Sequence, residues 1–269
     1  AIDVCAYAVM SNHTHLVLHV NKEKADALST EDVIQRWHKL YKGTLISQRY
    51  LSPDLRKELH ETQIKTVELT AEVWRKRLFD ISWFMRALNE YIARAANKED
   101  DCTGHFWEGR FKSQALLDES ALAACMAYVD LNPIRAKMAK TPEASDHTSI
   151  KYRINAARLG KTPKRLMPFV GNPRQEMPHG LPFTLPDYLQ LVDITSRYIH
   201  PNKRGKVQHN LPPILERLNI EHEHWITLTT QFETCFKHAA GKVIHLELYA
   251  QNQHQQRVQC RHSAMRLLG

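Results

Sequence analysis

The sequence predicts an α+β fold with a small helical domain at its C-terminal end, and three patterns predict it. Residues Ile2 to Val20 mix Val, Leu, Tyr and Met with short polar interruptions, as in strand, turn and strand or in one long bent strand. Farther along, apolar residues recur at threes and fours, the period of helices buried on one side. Between residues 161 and 186 lie six of the twelve prolines (Pro163, Pro168, Pro173, Pro178, Pro182 and Pro186), together with Gly171 and Gly180. Such a stretch reads as a linker or as an extended arm laid over a surface. It divides the chain into residues 1–160, a linker over 161–186 and a helical accessory domain over 187–269.

The helical windows follow in order. Ser29 with Asp32 three residues later forms a capping-box pattern, and Val33, Ile34, Trp37, Leu40 and Tyr41 continue at helical spacing, so a helix starts near Thr30. Pro53 suits the first turn of another helix. Leu78, Ile81, Met85, Leu88 and Ile92 predict one that runs to about Ala96. Asp101 to Gly104 breaks it, and His105 to Leu117 alternates as a strand would. A helix from Glu119 through Leu122, Cys125 and Val129 must stop before Pro133. Beyond the linker, Trp225, Leu228, Phe232, Phe236 and Ala239 make an apolar stripe that ends at Gly241.

With 269 residues, 43% of them hydrophobic and 25% charged, the chain falls outside the disordered and collagen-like classes and can bury a real core. Apolar stretches such as Ala121 to Val129 fall well short of the roughly 20 residues a membrane helix needs. Five scattered cysteines without a C-x-x-C pair argue for a reducing cytoplasm. The formal charge of +8 favours a polyanionic partner.

Three features could carry chemistry. His13 and His15 flank Thr14, and residues two apart on a strand point the same way, about 6.8 Å apart at Cα. Two imidazoles at that spacing can grip one divalent cation, although a histidine pair in a chain with sixteen also reads as two hydrogen-bonded surface rings. Leu16 and Leu18 are expected to face the core. Tyr128 and Asn132, four residues apart, share a helix face; a phenolate attacks phosphorus, and an amide oxygen is a hard neutral metal ligand. A packing role is the alternative for the tyrosine. In Gly104 to Lys112, the rings of Phe106 and Trp107 interleave with Arg110 and Lys112, a combination that suits single-stranded nucleic acid, although an amphipathic strand would look similar. Arg135 is a further candidate phosphate contact.

The stretches A-Y-A-V-M-S-N-H-T-H-L-V-L, G-H-F-W-E-G-R-F-K-S and A-Y-V-D-L-N-P-I-R-A occur in that order, and together they resemble the REP-associated tyrosine transposases, a branch of the single-tyrosine HUH (IS200-like) transposases. The resemblance covers about Ala1 to Ile154. It implies a ferredoxin-like antiparallel sheet with helices on one face and the histidine pair on a central strand. It also implies His13 and His15 as ligands of Mg²⁺ or Mn²⁺, Asn132 as third ligand, and Tyr128 as the nucleophile that forms a 5'-phosphotyrosine link on single-stranded DNA bearing hairpin repeats. The setting implied is the bacterial cytoplasm, the assembly a monomer or a homodimer. Thr14 stands where the family has a bulky apolar residue. Family members also carry a strand and a helix before the segment with which this chain starts, so a sheet lacking one strand is expected.

Two other readings compete: a domesticated relative that binds structured DNA or RNA without cutting, and a zinc protein using Cys102 and His105, whose spacing fits no common zinc module. The basic loop Pro201 to Lys206 and the Arg- and His-rich tail suggest that the C-terminal region adds DNA grip or contacts a partner.

Overall fold

The computed structural model of the chain describes residues 1–171, 179–199 and 212–269; Pro173, Pro178 and the loop Pro201 to Lys206 lie outside them. The fold is α+β, about 58% helical. Its strands begin as predicted, with β1 (Ile2–Val9) and β2 (Thr14–Val20) paired antiparallel and the Met10 N–H donating to the His13 carbonyl across the turn at 2.9 Å. Among the described residues this sheet has two strands, fewer than a ferredoxin-like sheet holds. The chain forms two compact units, one of residues 1–3 and 19–112, the other of residues 4–18 and 113–269.

The first unit holds α1 (Lys22–Asp26), α2 (Thr30–His38), α3 (Leu45–Leu51), α4 (Pro53–Lys57), α5 (Glu61–Leu78) and α6 (Ile81–Glu99). Helix α2 starts where the capping box places it: Ser29 Oγ accepts from the Asp32 N–H at 3.1 Å, and the Asp32 carboxylate accepts from the Ser29 N–H at 3.2 Å. The Ser29 hydroxyl, which donates to Asp32 Oδ2 at 2.6 Å, and then the Ser29 N–H hold the Asp32 carboxyl below its usual 3.8. The contribution of this carboxylate is therefore complete above pH 3.8 and lost as the pH falls through the lowered value. An NMR titration should find Asp32 below 3.8 and, in Ser29→Ala, close to it. The core of the unit gathers Val33, Ile34, Trp37, Tyr50, Val67, Ala71 and Trp74, with Trp37 and Trp74 stacked at 5.3 Å.

Two sequence expectations change here. Leu78 and Ile81 belong to different helices, because Asp80 stops α5 and caps α6 by accepting from the Trp83 N–H at 3.0 Å. A three-residue step spans such a joint as readily as a continuous turn, so periodicity alone could not see it. The strand expected over His105 to Leu117 shrinks to β3 (Ala115–Leu116). Residues 105–114 are irregular, and side-chain bonds hold them in place of a ladder: Trp107 Nε1 donates to the Asn89 carbonyl at 3.0 Å, and Asn97 Nδ2 to that of Gly104 at 3.2 Å.

The second unit contains α7 (Glu119–Asp130), α8 (Asn132–Arg135), α9 (Ser149–Arg158), α10 (Leu185–Ile199), α11 (Pro213–Leu218), α12 (His222–Cys235), β4 (Ala239–Ala240), α13 (Val243–Asn252) and α14 (Arg261–Leu267). Helix α7 ends at Asp130, in keeping with Pro133, and a fresh turn, α8, begins past Leu131. The short strands β3 and β4 pair in parallel, Ala115 opposite Ala239. Asp118 joins the same regions: it caps α7 through the Ala121 N–H at 2.9 Å and accepts from the Lys242 N–H at 2.6 Å. Gly241 permits this approach, since a Cβ there would come within 2.9 Å of Asp118 Oδ2.

One hydrophobic core runs through the unit, from Val17 and Ala121 to Met167, Phe183, Leu191, Trp225, Phe232 and Leu267. The compact units thus cut across the boundaries expected at 160/161 and 186/187. The described parts of the proline-rich segment, residues 161–171 and 179–186, are pinned by buried Leu166, Met167, Leu181 and Phe183, and the Met167 N–H donates to the Val4 carbonyl at 2.8 Å. Below α7, buried Asp130 accepts from the hydroxyls of Ser149 and Tyr188, the latter at 2.7 Å. Ser149 Oγ in turn accepts from the Tyr7 N–H at 2.8 Å and ties β1 to α9. No helix among the described residues is long and apolar enough to cross a membrane.

Candidate active site

The site begins on β2. Strand alternation turns His13, His15 and Val17 to one side, and Val17 is buried while Leu16 and Leu18 are only partly so. The histidine face is therefore the one that packs into the core, the reverse of the expectation drawn from the two leucines. His15 lies partly buried and His13 exposed at the strand's mouth, their rings edge-on at 4.9 Å between centroids.

Tyr128, half-buried on α7, meets His15 edge-on with centroids 6.1 Å apart. The fold thus brings together the histidine pair and the tyrosine from segments more than a hundred residues apart. Phe232 of α12 backs the phenol ring at 6.0 Å, and the Arg135 guanidinium lies over it, 3.7 Å from its centroid.

Arg135 also makes hydrogen bonds at the end of α7. Its Nη1 donates to the carbonyls of Tyr128 and, at 3.1 Å, Thr229, and its Nη2 donates to Asn132 Oδ1 at 2.9 Å. Both Nη1 hydrogens and one on Nη2 are engaged in closing the end of α7, so the side chain positions Tyr128. Asn132 is drawn in with it: the residue is 8% exposed, its oxygen faces the guanidinium, and its Nδ2 has no hydrogen-bond partner. Exchanging oxygen and nitrogen would set an N–H against the cation, so the orientation is fixed by Arg135. Arg135→Ala should cost about 2–3 kcal/mol of stability, read in a denaturant melt, because two backbone carbonyls and an amide lose a charged donor.

Glu233, at the end of α12, is the residue that the sequence did not reveal. Its Oε1 stands 3.5 Å from His15 Nδ1, and its side chain is 62% exposed. Only its place beside Phe232 in the apolar stripe hinted at proximity to the core, and nothing in the linear pattern paired it with β2.

Burial sets the protonation of the cluster. It lowers the His15 pKa below 6.5, with Glu233 opposing and His13 and Arg135 assisting, so the ring is neutral at pH 7 and offers a lone pair. Burial raises that of Tyr128 above 10, against the pull of Arg135. The phenol accordingly enters any reaction protonated. Cys125 is pushed up to about 12 by burial and is no nucleophile at neutral pH.

Phe106, Trp107, Arg110 and Lys112 belong to the first unit, whereas the histidine and tyrosine cluster belongs to the second. Phe106, Arg110 and Lys112 are exposed, and Trp107 is partly buried through its bond to Asn89.

The chain matches no protein-family profile, no curated protein and no solved structure.

Proposed function

We propose that the protein is a metal-dependent single-stranded DNA endonuclease and strand transferase that acts on hairpin repeat ends through Tyr128. The observation that carries this reading is the convergence of the His13, His15 and Tyr128 rings at 4.9 and 6.1 Å. It takes β1–β2 as the histidine-bearing part of a ferredoxin-like sheet.

The donor set suits a divalent cation in part. His13 and His15 supply two imidazoles, and burial keeps His15 neutral. Asn132 does not supply a third ligand as it stands, since its oxygen is bonded to Arg135. The donor atoms of His13, His15 and Glu233 do not all lie within 4.8 Å of one another, so the remaining ligands would be water and phosphate oxygen. When bound, Mg²⁺ or Mn²⁺ would polarise the phosphoryl group and neutralise charge on the leaving oxygen.

The residues of the chain supply the rest. Arg135 and Phe232 hold the phenol ring in one orientation, which removes rotational freedom from the attack. Tyr128 Oη forms a bond to phosphorus as the bond to the 3' oxygen breaks. The phenol proton is lost and the leaving oxygen gains one, so the products are a 5'-phosphotyrosine and a free 3'-hydroxyl. Phosphodiester bond energy stays in the adduct, and rejoining needs no nucleotide cofactor. On the first unit by itself, Phe106, Trp107, Arg110 and Lys112 would bind single-stranded nucleic acid by stacking and phosphate neutralisation.

The raised Tyr128 pKa and the engaged Asn132 favour one alternative, a relative that binds folded DNA or RNA without cutting. Incubation of an end-labelled single-stranded hairpin with the protein and Mn²⁺, resolved on a denaturing gel, separates the two. A covalent protein–DNA band that disappears with chelator is the expected result; binding without any such band supports the non-cutting relative.

A further inference from the structure

Each histidine of the pair has one ring nitrogen already engaged, and in both it is the same nitrogen. His13 Nδ1 lies 2.6 Å from Asn12 Oδ1, and His15 Nδ1 lies 3.5 Å from Glu233 Oε1. An amide oxygen can only accept, so the hydrogen of the His13 contact sits on Nδ1, and the carboxylate 3.5 Å from His15 Nδ1 draws the ring hydrogen to that nitrogen. A neutral imidazole with its hydrogen on Nδ1 keeps its lone pair on Nε2.

We propose that Asn12 and Glu233 are positioning residues that fix both imidazoles in the Nδ1–H tautomer, so that Nε2 of each is the atom that binds a divalent cation. This rests on the metal-site reading given above and extends it to Asn12, beside the histidine pair, and to Glu233, which lies outside the three motifs. The two partners differ in origin. Asn12 precedes the pair in the hairpin turn, whereas Glu233 comes from α12, at the far end of the chain, and is held near β2 by Phe232 packing on Tyr128 and by the bond from Arg135 to the Thr229 carbonyl. An oxygen acceptor on the distal nitrogen orients a ligating ring and raises its basicity, and its loss typically weakens metal affinity roughly 10–100-fold. Helix α12 thereby acts on the chemistry of the site through the His15 ring.

The test uses the full chain and Mn²⁺ alone. Long-range ¹H–¹⁵N NMR of the metal-free protein should show both rings protonated at Nδ1, and calorimetry should show Mn²⁺ binding that His13→Ala removes. Glu233→Ala should release the His15 tautomer and weaken Mn²⁺ roughly 10–100-fold at an unchanged melting temperature. Glu233→Gln, which keeps an acceptor oxygen, should restore the tautomer and most of the affinity. Unchanged Mn²⁺ affinity together with an unchanged His15 tautomer in Glu233→Ala would overturn the role of Glu233. A wild-type chain that takes up no Mn²⁺ would overturn the metal reading beneath it, a separate failure visible in the same experiment.

Discussion

Tyr128→Phe should abolish the covalent protein–DNA band while leaving hairpin affinity and the melting temperature near those of the wild type. The phenyl ring keeps its stacking under Arg135 at 3.7 Å and its packing on Phe232, so only the attacking oxygen is lost. His13→Ala should reduce the band strongly, because the exposed ring can leave without disturbing the core. A band of wild-type intensity in Tyr128→Phe would assign the attack to another group. Cys125 is a poor candidate, with its thiol pushed up to about 12.

A chain cut after Gly160 should lose the second unit itself, and with it far more than DNA grip. The cut removes Tyr188, Leu191, Trp225, Leu228, Phe232 and Phe236, each at most 1% exposed. Truncating one such side chain to alanine costs about 2–5 kcal/mol, whereas a domain's whole stability is about 5–15 kcal/mol. Several losses of that size leave nothing to hold α7. Hydrogen exchange should find the amides of Glu119 to Asp130 unprotected in the shortened chain, and a cooperative melt with protected α7 amides would refute this. Residues on both sides of the proline-rich segment share one hydrophobic cluster in this unit.

Local chemistry was legible in the sequence, and long-range chemistry was not. The Ser29–Asp32 box, the stop before Pro133 and the β1–β2 pair follow from bonds between near neighbours, which spacing encodes. The joint at Asp80 escaped because helical spacing survives across it. The segment His105 to Gln114 alternated like a strand, yet no ladder forms there and Trp107 fastens to α6. Within the site, His13, His15 and Tyr128 could be named because the motifs contain them. The commitment of Arg135 and Asn132 to each other, and the approach of Glu233 to His15, depend on how α12 packs against α7, which no short window records.

The parallel pairing of Ala115 with Ala239 has a consequence for biosynthesis. A ribosome delivers the histidine hairpin early, but β3 waits for β4 until more than a hundred further residues have emerged, and long-range pairing of this kind forms slowly. The nascent chain thus carries the apolar face of α7 without its α12 cover until residues 222–235 have emerged. Chaperone demand and aggregation should peak in that interval and fall once residues beyond 240 clear the exit tunnel.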